Sequence, residues 1–314
     1  MNGHVLALSG GVGGAKLASG LAAVLPPERL TIAVNTGDDF EHLGLTVCPD
    51  IDSVVYAMAG LNDRERGWGV AGETWQAMAM LRALSEADWF NLGDRDMGMH
   101  IARSWRLRSG ESLSAVTARL TQALGIAHAV VPMSDDPVRT QVQTPAGWCD
   151  FQQWFVGDQC GPAVSAIRFA GTPGAKPSPG LAAALARPDL AAIVICPSNP
   201  FLSVDPILAL DGVRAALAQR AVPCVAVSPL ISGKALKGPL SKMLGELGIA
   251  PSNLSIAAHY GALIDHLVID RSDGDDTAAL QAGGLAATVT ETLMTSADDQ
   301  ARLARQVLAA AAVE

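Results

Sequence analysis

The 314-residue sequence lacks the features that mark several classes of protein. Its 22 basic residues are outnumbered by 31 acidic ones, and the net charge of −9 argues against a broad basic surface that neutralises nucleic-acid phosphates. The five cysteines contain no C-x-x-C pair, so neither a disulfide framework nor a zinc knuckle is predicted. No apolar run approaches the roughly 18 residues of a membrane span, and no secretory apolar region follows Met1. We therefore expect a cytoplasmic protein that binds neither nucleic acid nor membrane.

Short apolar runs that alternate with helical segments dominate what the sequence does contain. Residues 5–8 lead through a glycine cluster into an alanine-rich segment that ends at Leu25, and residues 31–34 form the next apolar run. This order of strand, helix and strand is typical of a parallel α/β sheet, whose buried strands are continuously apolar. Further strands are predicted at residues 129–133, 191–196, 223–228 and 266–270, with a hairpin through Gln141, Trp148 and Phe155.

The pattern changes between residues 50 and 130, where helical spacing replaces the strand-like runs. Residues 74–84 and 112–124 are the clearest helical segments of this region. We predict a single α/β domain over residues 1–314, Rossmann-like and doubly wound, with a mainly parallel sheet. Residues 50–130 are predicted to form a mostly helical insertion or cap embedded within it.

The glycine cluster SGGVGGAKL, residues 9–17, follows the first predicted strand. Because glycine lacks a Cβ atom, the N–H groups of Gly10, Gly11 and Gly13 can approach phosphate oxygens at the positive end of the following helix. Lys16 does not fit a Walker loop, and it occupies the place of the third glycine of the dinucleotide fingerprint. The cluster therefore predicts a phosphate site of neither standard type. A tight turn with a purely structural role is the alternative.

Aspartates gather after the second predicted strand. Asp38 and Asp39 lie in the NTGDD segment, and Asp50 follows in CPDID. The carboxyl ends of parallel strands share one edge of a sheet, so these side chains are expected beside the glycine turn. Mg²⁺ near a diphosphate usually takes one or two carboxylates together with phosphate oxygens and water. The sequence thus predicts a magnesium site, and the alternative is that the aspartates only cap a turn or a helix.

The segment LGDRDMGMH, residues 92–100, concentrates charge in a chain with 17% charged residues. Arg95 is suited to bind a phosphate through two parallel hydrogen bonds, and His100 is suited to hydrogen bonding or proton transfer. A salt-bridged surface loop is the alternative interpretation.

Two later segments also follow predicted strands, at the edge of the sheet where ligands collect. The first, CPSNPFLSVDPIL, places Ser198 and Asn199 directly after an apolar run. The second, residues 228–243, combines glycines with lysines whose ammonium groups can meet a phosphate or diphosphate. Its candidate ligand contacts are Ser228, Gly233, Lys234, Lys237 and Gly238.

These motifs together resemble the 2-phospho-L-lactate transferase family. The resemblance runs from residue 5 to about residue 270 and rests on the order of seven short motifs, which are LSGGVGGAKL, VNTGDD, CPDID, WGV, LGDRD, PSNPxxSVxPIL and VSPLxxGKxLKGP. It implies a Mg²⁺-dependent, homodimeric enzyme that helps to make the deazaflavin coenzyme F-420. Such an enzyme moves a phospholactyl-type group from a guanosine diphosphate-linked donor to the ribityl hydroxyl of 7,8-didemethyl-8-hydroxy-5-deazariboflavin and releases GMP.

The resemblance also implies roles for individual residues. Asp38, Asp39 and Asp50 would hold Mg²⁺ and orient the acceptor, and Asp50 and Arg95 would face the deazaflavin. The donor would be held by Gly10, Gly11, Gly13, Lys16, Ser198, Asn199 and the segment from Ser228 to Gly238. The glycine loop departs from the archaeal pattern, which has Thr and Pro where this chain has Gly14 and Ala15. The acid on the donor therefore stays open between phospholactate, phosphoenolpyruvate and phosphoglycerate.

Two other functions compete with the transferase. A non-catalytic, nucleotide-sugar-binding regulator of the gluconeogenesis-factor type would need the diphosphate pocket but not the acceptor side, so LGDRD and CPDID favour the transferase. An NAD-dependent oxidoreductase is disfavoured by Lys16 in the glycine loop and by neutral Asn35, which stands where an acidic ribose ligand is expected.

Overall fold

The computed structural model describes residues 3–235 and 238–313. Its strands, in chain order, are β1 (His4–Ser9), β2 (Leu30–Val34), β3 (Phe40–His42), β4 (Leu45–Val47), β5 (Ala129–Pro132), β6 (Arg139–Thr144), β7 (Gly147–Asp150), β8 (Ala166–Ala170), β9 (Leu190–Ile195), β10 (Cys224–Val227), β11 (Leu230–Ile231), β12 (Lys234–Ala235), β13 (His266–Asp270) and β14 (Ala286–Thr290).

Seven of these strands form one parallel sheet in the order β14, β13, β10, β9, β1, β2, β5. The predicted α/β class with a mainly parallel sheet is therefore confirmed. Successive strands run outward from β1 through β2 to β5 on one side and from β9 to β14 on the other. The direction of winding reverses between β1 and β9, and ligands of such sheets bind at the carboxyl ends of the strands that flank this point.

Helices cover both faces of the sheet. They are α1 (Gly11–Val24), α2 (Pro49–Met58), α3 (Gln76–Ala83), α4 (Asp94–Arg108), α5 (Leu113–Ala123), α6 (Pro179–Leu185), α7 (Asp205–Leu208), α8 (Val213–Ala218), α9 (Leu240–Glu246), α10 (Asn253–Tyr260), α11 (Thr277–Ala282) and α12 (Ala297–Ala310).

Side chains of β1 alternate between two apolar cores because successive strand residues point to opposite faces. Val5 and Ala7 join a core that includes residues of α1, α2 and α12, whereas Leu6 and Leu8 join a core that includes residues of α6 to α11. All four side chains are fully buried. The central strands therefore hold the carboxyl edge of the sheet on a rigid base, which suits the positioning of a site.

The chain between β4 and β5 is mainly helical and contains α2 to α5. A small antiparallel sheet of β7, β6 and β8 follows and includes the predicted hairpin around the turn at residues 145–147. The prediction is wrong at Phe155, which lies in a π-helical turn, Gln153–Gly157, instead of a strand. Phe151 and the buried Trp154 share an apolar core there, so the aromatic spacing reflects packing on a helical turn.

Strand β14 was absent from the predicted set because it does not read as a buried apolar run. Its five residues are mostly exposed or half-buried, as expected of an edge strand. No helix within residues 3–235 and 238–313 combines the length and the apolarity that crossing a bilayer requires.

Candidate active site at the carboxyl edge of the sheet

The glycine cluster forms the turn from β1 into α1. The helix begins at Gly11, inside the glycine cluster, and Gly10 supplies no side-chain cap. Gly11 has a φ of +64°, a conformation that favours glycine. The first turn of α1 therefore presents backbone N–H groups and the positive end of the helix dipole at the switch point of the sheet.

Close packing of the chain against itself explains part of the glycine requirement. A Cβ atom on Gly10 would lie 2.5 Å from Ser203 Cβ and 2.7 Å from Asp50 Oδ2. A Cβ atom on Gly13 would collide with the carbonyl oxygen of Pro197. The structural alternative for these glycines thus has a physical basis, because the turn is wedged between the segments that follow β2 and β9.

Asp50 joins the glycine turn to the end of β2. Its Oδ1 accepts a 2.8 Å hydrogen bond from the N–H of Gly11, and its Oδ2 accepts a 2.9 Å hydrogen bond from Asn35 Nδ2. Asn35 Oδ1 in turn accepts from the N–H of Gly37 and so shapes the turn that carries the other aspartates. The structure therefore brings two of the predicted motifs into direct contact.

Asp38 and Asp39 are buried at the same edge, and one oxygen of each carboxylate is buried without a hydrogen-bond partner. Burial, and then the charge of Asp50, raise the pKa of Asp38 well above its usual range. Burial raises the pKa of Asp39 to about 7 and that of Asp50 to about 6. Asp38 and Asp50 are thus desolvated neighbours whose charges a bound cation would stabilise.

Hydroxyl groups around these carboxylates show the same lack of partners. Thr36 Oγ1 is buried with no hydrogen bond, and Ser9 Oγ and Thr140 Oγ1 are buried with only weak contacts, to Cys196 and Asp38 respectively. Buried polar groups are nearly always paired, so a local group of unpaired ones needs an explanation such as a ligand, an ion or water. Thr140 reaches this place because its backbone N–H bonds to the carbonyl of Gly37 at 2.6 Å.

The protein alone supplies only part of the ligand set that a divalent cation needs. Within the described part of the chain, no group of three or more His, Cys, Asp or Glu residues converges as a complete metal site. Magnesium at a diphosphate needs only one or two carboxylates, since phosphate oxygens and water complete its octahedron. Asp38, with a buried unpartnered oxygen and Asp50 as an electrostatic neighbour, is compatible with that smaller requirement.

A buried ionic network lies behind the carboxylates and was not predicted. Both Nη atoms of Arg103 contact the carboxylate of Asp52, one of them at 3.1 Å. His100 Nδ1 lies 3.2 Å from Arg103 Nη1, and Asp96 Oδ1 lies 3.3 Å from His100 Nε2. Tyr56 completes the network by donating to Asp96 Oδ1 at 2.5 Å. The network ties α4 to α2, the helix whose first turn carries Asp50.

The charged residues of the LGDRD segment have different roles in the structure. Asp94 accepts from the N–H groups of Gln76 and Ala77 and so caps α3, while Asp96 enters the ionic network. Arg95 is exposed, and its Nη1 donates to the carbonyl of Ala71 at 2.5 Å. It lines a groove with Tyr56, in the C-terminal half of α2, and its side chain makes no recorded contact with Asp38 or Asp50 among the described residues.

Polar residues at the end of β9 are bonded within the chain. Ser198 Oγ accepts from the N–H of Gly10 at 3.1 Å and donates to the carbonyl of Gly10 at 2.8 Å. Asn199 Oδ1 accepts from the N–H groups of Phe201 and Leu202 at the start of a π-helical turn, Pro200–Val204. Ser198 therefore supports the backbone of the glycine turn, and Asn199 supports the segment that follows β9.

Residues after β10 form a tight hairpin of β11 and β12. Ser228 Oγ donates to Asn253 Oδ1 at 2.5 Å, and the N–H of Gly233 donates to Asp273 Oδ1 at 2.8 Å. Lys234 and Gly238 are exposed at this rim. Lys237 lies outside the described residues.

Lys16 lies in the N-terminal half of α1, and its side chain is bonded within the chain. Its Nζ donates to the carbonyl of Met294 at 2.8 Å, in the segment between β14 and α12. The side chain thus fastens α1 to the C-terminal part of the chain.

Comparison with known proteins agrees with this arrangement of motifs. The family model described as 2-phospho-L-lactate transferase CofD matches residues 5–309. This chain belongs to the CofD family. It is 39% identical to the phosphoenolpyruvate transferase of Kitasatospora aureofaciens over 98% of both chains. It is 37% identical to the 2-phospho-L-lactate transferase of Methanosarcina mazei over 98% of this chain and all of that protein.

The resemblance expected from the seven motifs is therefore confirmed, and the chain is a transferase of the CofD family. A crystal structure of a UPF0052 family protein from Bacillus halodurans superposes with a TM-score of 0.63, covering 98% of this chain and 99% of that one. At 16% sequence identity, this likeness shows a shared fold and nothing further. It extends over nearly the whole CofD-family chain, helical region included.

Proposed function

We propose that this CofD-family protein transfers the phospho-acid group of a guanosine diphosphate-linked donor to the ribityl hydroxyl of 7,8-didemethyl-8-hydroxy-5-deazariboflavin, with Mg²⁺ as cofactor. The observation that carries the proposal is the hydrogen bond between Gly11 N–H and Asp50. It joins an anion-binding helix start to a group of buried carboxylates. A site that holds a diphosphate beside a divalent cation needs this juxtaposition.

The donor diphosphate would lie against the first turn of α1, where N–H groups and the helix dipole favour negative charge. Asp38 and Asp50 would hold the Mg²⁺ ion from the side of β2. Bound there, the ion would neutralise charge that develops on the departing GMP. Ser198 and Asn199 contribute by fixing the backbone of the turn and of the neighbouring segment.

Asp39 is the residue that we assign to the acceptor hydroxyl. Its unpartnered oxygen is free to accept a hydrogen bond, and a pKa of about 7 suits a group that takes a proton near neutral pH. The hydroxyl oxygen would attack the phosphorus atom that carries the three-carbon acid. The bond from that phosphorus to the bridging oxygen of the diphosphate would break, GMP would leave with this oxygen, and the hydroxyl proton would pass to Asp39.

A product assay tests the proposal directly. Purified protein is incubated with Mg²⁺, the deazariboflavin acceptor and, in turn, the guanylated forms of phospholactate, phosphoenolpyruvate and phosphoglycerate. We expect the acceptor to gain the mass of one phospho-acid group, with one GMP released for each transfer. The relatives named above carry two different donor acids in their names, so the three arms also determine which donor this chain uses.

A binding-only function is the competing hypothesis. A non-catalytic, nucleotide-sugar-binding regulator would bind the guanosine diphosphate moiety and leave the acceptor unbound. Calorimetric titration with the acceptor separates the two, because only the transferase needs it. No heat with the acceptor and no product with any of the three donors would contradict the transferase proposal.

A further inference from the structure

Asp50 lies in the first turn of α2, and the chain holds this turn from two sides. On one side, Asp50 accepts hydrogen bonds from the N–H of Gly11 and from Asn35 Nδ2. On the other side, the carboxylate of Asp52 contacts both Nη atoms of Arg103, which comes from α4. Residues two positions apart lie on nearly opposite faces of a helix, because each residue turns it by about 100°. Arg103 therefore holds α2 from the face opposite to the glycine turn.

The same part of α4 also holds the strand that leads into α2. Arg103 Nη1 donates to the carbonyl of Thr46, in β4, at 3.3 Å. Ser104 Oγ accepts from the N–H of Thr46 at 2.7 Å. Contacts from α4 thus lie on both sides of the junction between β4 and α2. Asp50 directly follows this junction, so α4 fixes the backbone that carries its carboxylate.

Stability alone does not explain why this anchor is ionic. Arg103 is 1% exposed, and it is the only arginine or lysine that is buried among the described residues. Replacing a buried ion pair with apolar side chains of similar volume is often neutral or stabilising. What the guanidinium adds is geometry, because its planar group fixes a carboxylate through two parallel contacts.

We propose that Arg103 is a positioning residue for the proposed Mg²⁺ site, acting through Asp52 to hold Asp50 against the glycine turn. This inference rests on the proposed function. Groups that hold a metal-binding side chain from behind set its orientation, and their loss weakens metal binding. Because Asp50 bonds directly to the N–H of Gly11, a shift of the α2 start would separate the carboxylate from the proposed diphosphate site.

Hydrogen exchange in the metal-free protein tests the positioning step without any ligand. Arg103→Lys keeps the charge but loses the planar group that meets Asp52 with two nitrogens. We expect the Gly11 N–H of this variant to exchange about fivefold faster than in the wild type, the scale of one weakened hydrogen bond. Arg106→Lys is the matched control, because Arg106 also lies on α4 but pairs with Glu111. Wild-type exchange at Gly11 in Arg103→Lys would overturn the proposal.

Titrations of guanosine diphosphate at a series of Mg²⁺ concentrations test the consequence for the metal site. In Arg103→Lys, the Mg²⁺ concentration that gives half of the maximal tightening should rise about tenfold. The dissociation constant without Mg²⁺ should change less than about twofold, because the N–H groups at the start of α1 are still present. Equal weakening with and without Mg²⁺ would show a merely structural role and would also overturn the proposal.

A double variant separates positioning from stability. Arg103→Met combined with Asp52→Leu replaces the ion pair with apolar side chains. We expect its melting temperature to stay within about 5 °C of the wild type, while the tightening of nucleotide binding by Mg²⁺ is lost. A folded double variant with the wild-type response to Mg²⁺ would contradict the role of Arg103.

Failure of this inference differs from failure of the proposed function. If the wild type forms product but the Arg103 variants keep its Mg²⁺ dependence, the positioning role is wrong and the transferase stands. If Mg²⁺-dependent nucleotide binding requires Arg103 yet the wild type forms product with no donor, the transferase is wrong and the positioning role stands.

Discussion

The two flanks of the glycine turn satisfy their polar groups in opposite ways. On the flank after β9, Ser198 Oγ both accepts and donates a hydrogen bond within the chain, and Asn199 Oδ1 accepts two. On the flank after β2, Asp38 and Asp39 keep buried oxygens without partners and have raised pKa values. We propose from this difference that Ser198 and Asn199 maintain the shape of the site, while Asp38 and Asp39 bind ligands.

Removing a carboxylate on the β2 flank should give the largest effect. Asp38→Asn keeps the shape of the side chain but removes its charge, so we expect turnover to fall about 10²- to 10³-fold, the scale of one lost electrostatic contact at a reacting phosphate. Without Mg²⁺ at pH 8 the variant should melt no lower than the wild type, because a desolvated charge has gone. Steady-state kinetics and thermal melts measure both. Asp211→Asn, at an exposed position, is the control.

Removing a hydroxyl on the β9 flank should instead destabilise the fold. Ser198→Ala leaves the buried N–H of Gly10 unpaired, and we expect the free energy of unfolding to drop by about 1–3 kcal/mol. Chemical denaturation provides the measurement, with Ser109→Ala at the exposed end of α4 as the control. If Ser198→Ala kept full stability but lost most of its turnover, the proposed difference between the two flanks would be wrong.

The buried carboxyl groups on the β2 flank should also make the stability of the protein depend on pH, which is a smaller effect than the loss of turnover. Asp39 and Asp50 have folded-state pKa values of about 7 and about 6, both above the ordinary value for Asp, so the folded chain binds more protons than the unfolded chain between about pH 4 and pH 7. Their contribution to stability is present below pH 4 and is lost as the pH rises through this window. As the pH rises from about 4 to 7, we expect these two groups to lower the melting temperature of the metal-free protein by on the order of 5 °C.

Stabilisation of the protein by Mg²⁺ should depend on pH in the opposite direction. Since the ion competes with protons for the same carboxylates, its stabilising effect in the presence of guanosine diphosphate should be larger at pH 8 than at pH 5. Asp38→Asn should reduce this difference. An equal Mg²⁺ effect at both pH values would speak against binding through these carboxylates.

Sequence patterns predicted the sheet and the neighbourhood of its motifs, because both follow from local periodicity and from the direction of parallel strands. Buried apolar runs located β1, β2, β9, β10 and β13, and the edge strand β14 lacked such a run. The contact of the glycine turn with the acidic segment followed from the position of each motif at a strand end.

Local patterns in the sequence could not predict which polar residues are buried and which of them bond to distant parts of the chain. Ser198 and Gly10 are 188 positions apart, so nothing local indicates that this serine holds the turn. In the sequence, Arg103 is one of several basic residues of α4. Only the structure shows that it is buried against Asp52. Arg95 and Asp96 are neighbours in LGDRD, yet helical geometry sends one to the surface and the other into the interior.

We propose that the β2 carboxylates and the glycine turn bind one diphosphate together through a divalent ion. Calorimetric titration of guanosine diphosphate with and without Mg²⁺, in the wild type and in Asp38→Asn, measures this most directly. We expect Mg²⁺ to strengthen binding to the wild type at least about tenfold and to have little effect on the variant. Nucleotide binding that is equally strong with and without Mg²⁺ in the wild type would contradict it.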